Sequence, residues 1–198
     1  MSSRVGVLSR STMQYTGFLI ENYKGIEKLR LDMGFVPNPK IFTLVGLNES
    51  GKTTILEAIN FYQEDHVDIN SLVPKSKKDN FNGYIAVTAY AKLDDADEER
   101  LKEYALEQGV ELTEKVKTLH IEKKRTFVDS KHDPSLNQDL WSIRLVGKKV
   151  PKVDPAAPAG TPSPEPQALE SKDPEWRTLI KFIRTELLPK IEIGRAHV

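Results

Sequence analysis

Nine consecutive residues have the types and spacing needed to hold a phosphate chain: Gly46, Leu47, Asn48, Glu49, Ser50, Gly51, Lys52, Thr53 and Thr54. They fit G-x-x-x-x-G-K-[ST], the phosphate-binding loop or Walker A pattern. Gly46 and Gly51 allow backbone conformations that a Cβ would obstruct. Amide N–H groups from Asn48 to Thr53 can then converge on a β-phosphate, and a helix starting at the same point adds its positive end. Lys52 would bridge β- and γ-phosphate oxygens. The Thr53 hydroxyl would ligate Mg²⁺, a hard cation suited to oxygen ligands. Thr54 completes the set. The loop does not select the base, and ATP is the expected nucleotide rather than GTP.

Such a loop works only between a strand and a helix. Ile41, Phe42, Thr43, Leu44 and Val45 form a short, nearly continuous apolar run, which predicts a strand buried on both faces. Over 53–62 the pattern turns helical, with Ile55, Leu56, Ile59 and Tyr62 on one stripe. Ahead of the motif, Phe18, Ile20 and Asn22 alternate with Leu19 and Glu21. Leu29, Leu31 and Met33 alternate with Lys28, Arg30 and Asp32. Period-two alternation on both sides of Tyr23, Lys24 and Gly25 predicts an antiparallel pair. Downstream, Ile85, Val87, Ala89, Ala91 and Leu93 predict another strand. Asp94 can cap a helix running to Gln108, with Gly109 as its stop. Two further strands are expected over 117–128 and 140–146, joined through Asp133 and Pro134. An amphipathic helix over 176–188 should end at Pro189. No internal repeat is found.

The composition narrows the class. The chain has 198 residues, 29 basic and 29 acidic, so its net charge is zero, and a globally basic nucleic-acid binder is not indicated. The absence of cysteine excludes disulfides, thiol catalysis and thiolate metal sites. His66, His120, His132 and His197 lack metal-ligand spacing, and Glu64, Asp65, His66 and Asp68 read as a solvated helix end. Charge is nevertheless segregated: 63–115 carries 7 basic and 13 acidic residues, whereas 116–149 carries 8 basic and 4 acidic. Within the basic block, Lys123, Lys124 and Arg125 are a candidate phosphate-facing patch. Seven of the twelve prolines fall within 151–174, which reads as an extended linker or insert. The first residues lack the apolar stretch of a secretory signal, and no apolar run is long enough to cross a bilayer. A cytoplasmic location without membrane contact is expected.

The segments FLIENYKGIEKLRLDM, IFTLVGLNESGKTT and ILEAINFY, over 18–62, carry a family resemblance. They resemble the ATPase heads of the SMC, RecF and OLD-nuclease group, within the ABC-type, AAA family ATPases. Such heads carry I-x-N-[FY]-[KR] before the hairpin turn and LEAI after the loop. Ile20, Glu21, Asn22, Tyr23 and Lys24 fit the first; Leu56, Glu57, Ala58 and Ile59 fit the second. The resemblance implies an α/β P-loop NTPase fold: the N-terminal lobe of an ABC/SMC-type head, with antiparallel β strands and a P-loop helix. It implies ATP and Mg²⁺ as cofactors, with Lys24 as a further phosphate contact. It also implies a head-to-head homodimer at full length, and DNA as a partner in repair or in defence against phage. Glu57 reads as surface polar.

Such a head also needs four apolar residues followed by Asp-Glu, to position Mg²⁺ and the attacking water. The nearest approach, over 89–95, is interrupted by Lys92 and ends in Asp94 and Asp95. An S-G-G signature loop is absent too, so catalytic residues are unassigned. The last residues, Ile193, Gly194, Arg195, Ala196, His197 and Val198, match the translation of a common sequencing adapter. The expected organisation is therefore a disordered start over 1–12, the lobe over 13–149, a Pro-rich linker or insert over 150–175, a helix over 176–190 and a non-native tail over 191–198. Competing readings are a P-loop kinase, a transport ATPase subunit, or an inert fragment without turnover.

Overall fold

A computed structural model describes residues 13–34, 42–47, 51–64, 68–116, 118–150 and 165–188. In chain order the elements are β1 (Gln14–Tyr23), β2 (Ile26–Asp32), α1 (Lys52–Gln63), β3 (Gly83–Lys92), α2 (Asp95–Glu107), β4 (Val110–Leu112), β5 (Leu119–Val128), β6 (Lys131–Ile143), β7 (Gly147–Lys149), β8 (Gln167–Ala168) and α3 (Pro174–Phe182). They form two compact units. One is built from Gln14–Lys92 and Lys117–Arg144, the other from Leu93–Val116 and Leu145–Pro189.

The first unit is a five-stranded antiparallel sheet in the order β2-β1-β3-β5-β6. Alternation decides which side chains are buried. Phe18 and Ile20 on β1, Ile85, Val87, Ala89 and Ala91 on β3, and Leu119, Ile121 and Phe127 on β5 are all buried. Helix α1 contacts β1 and β3. Its inward residues are Ala58, Ile59, Phe61 and Tyr62. The expected stripe is thus shifted, since Ile55 and Leu56 are only half-buried. Rings fix the seat: Tyr62 meets Phe18 edge-on at 5.9 Å and Tyr15 at 6.1 Å, and Phe61 meets Tyr23 at 5.8 Å. Gly17 is required where β1 meets β2, because a Cβ there would overlap the Leu31 carbonyl.

Two expectations are corrected. Residues 42–47 form no strand and pair with neither edge of the sheet; Val45 is 91% and Leu47 85% exposed. An apolar run becomes a buried strand only between flanking strands, and no described strand lies beside it. The second correction concerns the turn of the last hairpin. β5 and β6 are joined at Asp129 and Ser130, both at positive φ (49° and 61°), and not at Asp133 and Pro134. Such a two-residue turn matches the twist of the strands. Pro134 lies within β6, an edge strand, where its missing N–H is tolerated.

The second unit packs α2 against α3 and β4, with a small antiparallel sheet in the order β4-β7-β8. The Asp94 carboxylate caps α2 by accepting the Asp97 N–H at 2.8 Å, and Gly109 ends the helix at φ 76°. Leu101, Ala105, Val110, Leu179, Ile183 and Leu187 are buried in this unit. Tyr104 stacks on Phe182 at 4.1 Å. Gln167–Ala168, inside the expected linker, pairs with β7 as a strand. After α3 the chain makes one π-helical turn over Ile183–Leu187. Among the described residues, no helix is long and apolar enough to cross a membrane.

Candidate nucleotide-binding site

Helix α1 begins at Lys52 because Gly51 turns the chain into the left-handed region, at φ 85° and ψ 6°. For a residue with a Cβ this conformation is strained, so glycine is needed for its backbone alone; the space around it is open. Among the described residues no side chain caps this helix end, and its first turn carries no acidic residue. Within that first turn the opening N–H groups and the positive end of the helix thus meet no carboxylate. Such an end is chemically matched to phosphate.

The Lys52 ammonium folds back on the loop, donating to the Gly46 carbonyl at 2.7 Å and to that of Leu47. This places Lys52 beside the segment that would wrap a phosphate. Thr53 is exposed and Thr54 half-buried in the first turn. Gly46, Gly51, Lys52, Thr53 and Thr54 therefore fit ATP, and the exposed Thr53 hydroxyl fits Mg²⁺. Asn48, Glu49 and Ser50 lie outside the described residues.

Lys24, the remaining candidate, sits in the β1–β2 turn at φ 52°. Its N–H donates to the Leu72 carbonyl at 2.8 Å. Its ammonium pairs with the Glu57 carboxylate of α1 at 2.6 Å. The reading of Glu57 as a solvated surface group is thus corrected: it ties the hairpin turn to the helix that follows the loop. Thr53 and Glu57 are four residues apart, so they share a helix face. The two charges are 33 positions apart in the chain, and no local spacing rule joins them.

Tyr23 lies next to this pair. It is fully buried, and its hydroxyl has no hydrogen-bond partner among the described residues. Burial first, and the Glu57 charge second, push its pKa well above the ordinary tyrosine value.

The far end of α1 is held by a residue that the sequence placed elsewhere. The Lys123 ammonium donates to the Glu64 carbonyl at 2.6 Å and lies 5.1 Å from the Phe61 ring centre. A cation at a helix C-terminus satisfies a free carbonyl and complements the dipole. Arg125 is buried beside it in the strand alternation and pairs with Asp139 at 2.7 Å. Lys124 points to the other face, over the Tyr84 ring at 4.1 Å. The expected patch is therefore split across the sheet, because consecutive strand residues face opposite ways.

The weak Walker B approach is also accounted for: Asp94 caps α2 and Asp95 pairs with Lys115 at 2.9 Å. Among the described residues there is no cluster of metal-ligating side chains. A groove of about 470 Å³ lined by Tyr104, Thr178, Lys181, Phe182, Thr185 and Glu186 lies within the second unit and contains no residue of the motif.

Comparison with curated proteins and with solved structures found no match. The family model of the AAA ATPase domain matches residues 13–193, which is most of the chain and includes the loop, α1 and both units. An ATPase-domain model spanning a Walker A motif, with a left-handed glycine and a helix whose first turn holds no acidic residue, leads to one assignment: the chain belongs to the AAA ATPase domain family.

Proposed function

We propose that the chain binds ATP with Mg²⁺ through the loop from Gly46 to Thr54, as the ATP-binding lobe of an SMC/RecF/OLD-like head of the ABC type. The carrying observation is the start of α1, with Gly51 at φ 85°, no acidic residue in the first turn and Lys52 on the loop carbonyls. The antiparallel hairpin ahead of the loop, with Lys24 at its turn, supports the head reading over a kinase or a transport subunit. Gly46, Asn48, Glu49, Ser50, Gly51, Lys52, Thr53 and Thr54 hold the phosphates, Lys24 adds a cation, and the Thr53 hydroxyl holds Mg²⁺, which neutralises phosphate charge when bound.

These residues account for binding and not for turnover, since the sequence contains no apolar strand ending in Asp-Glu. Cytoplasmic location, head-to-head dimerisation and a role for bound ATP in DNA repair or anti-phage DNA processing belong to the same proposal. The test is equilibrium binding of a fluorescent ATP analogue with and without Mg²⁺. Thr53→Ala is expected to remove most of the Mg²⁺ dependence while leaving metal-free binding in place. Unchanged Mg²⁺ dependence in that variant would refute the metal assignment.

A further inference from the structure

Three groups meet where the β1–β2 turn packs on α1, and their hydrogen-bonding is unbalanced. The Lys24 ammonium and the Glu57 carboxylate form a 2.6 Å pair, each side chain about one-third exposed (32% and 35%). The Tyr23 hydroxyl, fully buried, donates to nothing among the described residues. A buried hydroxyl without a partner is costly and rare, so it calls for a physical reason. The Lys24 ammonium lies 6.0 Å from the Tyr23 ring centre and 2.6 Å from Glu57, which makes Glu57 the acceptor of this cluster. That carboxylate is already engaged by Lys24. Glu57 also stands one helical turn below Thr53 on the same face of α1. Lys24 is thus held about a turn below the hydroxyl assigned to Mg²⁺.

We infer that Glu57 holds Lys24 in reserve beside the loop, and that the two exchange partners when a triphosphate binds there. Lys24 leaves Glu57 for phosphate oxygen, and the Tyr23 hydroxyl turns to donate to the carboxylate that Lys24 has left. The exchange keeps every charged group paired in both states. It also gives a purpose to a buried donor that the resting arrangement does not use. No bond is made or broken beyond hydrogen bonds, and no proton changes owner. This inference rests on the reading of Lys24 and the loop as a nucleotide site.

The experiment is a set of binding titrations on the 198-residue chain with a fluorescent ATP analogue, plus thermal melts. Glu57→Gln frees Lys24 and is expected to tighten binding about fivefold, the factor that corresponds to a partly exposed ion pair. In a Lys24→Met background the same Glu57→Gln change is expected to leave affinity unchanged. Tyr23→Phe is expected to weaken binding in the parent protein but not in the Glu57→Gln background, where no bare carboxylate remains to be satisfied. An equal gain from Glu57→Gln with and without Lys24 would mean that Glu57 acts only as a diffuse negative charge, and would overturn the exchange. Equal losses from Tyr23→Phe in both backgrounds would overturn it as well. Melts that fall with no change in affinity would show a merely structural strut. The site reading fails separately, if Lys52→Ala leaves affinity untouched.

Discussion

On one side of the motif Phe42, Leu44 and Val45 lie exposed; on the other Ala58, Ile59, Phe61 and Tyr62 are buried against the sheet. Both runs are apolar, and the sequence marks both for burial. The difference is in their neighbours. The helix meets β1 and β3, which carry a matching set of rings, and its ends are held by Lys52 on the loop and Lys123 at Glu64. The run before the loop has no strand beside it among the described residues. Apolar pattern states a demand for burial, and only tertiary partners can meet it.

The contrast can be broken or sharpened by substitution. Phe61→Ala removes a ring that is 1% exposed and packed on Tyr23, and should cost about 3–5 kcal/mol in chemical denaturation. A loss below about 1 kcal/mol would mean that α1 is not seated as described. Lys123→Met keeps the aliphatic stem but deletes the helix-end donor, and should cost about 1–2 kcal/mol in the same assay. A neutral result there would make the cap incidental. Val45→Ser, on the exposed side, should change stability by less than about 0.5 kcal/mol. A large loss at Val45 would show that the run is buried in solution, and would erase the contrast.

Much of this fold was readable from local pattern. The hairpin before the motif, α2 with its Asp94 cap and the strand β3 all follow from alternation, capping chemistry and glycine stops acting over a few residues. What escaped was either a choice between local signals or long-range pairing. At the last hairpin, Asp133 and Pro134 are a stronger turn signal than Asp129 and Ser130, neither of which is glycine. The chain nevertheless turns at the second pair, where Val128 meets Lys131, and a register shift between Lys124 and Thr126 then sets Ile121 opposite Trp141. In the site, the motif residues were legible by spacing alone. The Lys24–Glu57 pair and the inward Lys123 were not, since each joins positions tens of residues apart. Reading Lys123, Lys124 and Arg125 as one patch ignored the period of two that strand alternation imposes.

The central claim is that the loop and the start of α1 bind a nucleotide. Titration of the fluorescent ATP analogue with Mg²⁺ against the parent chain and Lys52→Ala tests it most directly. The account predicts saturable binding that weakens roughly tenfold to a hundredfold in the variant, the loss of a charged hydrogen-bond donor to phosphate. Equal affinity of the two proteins, at matched stability, would contradict it.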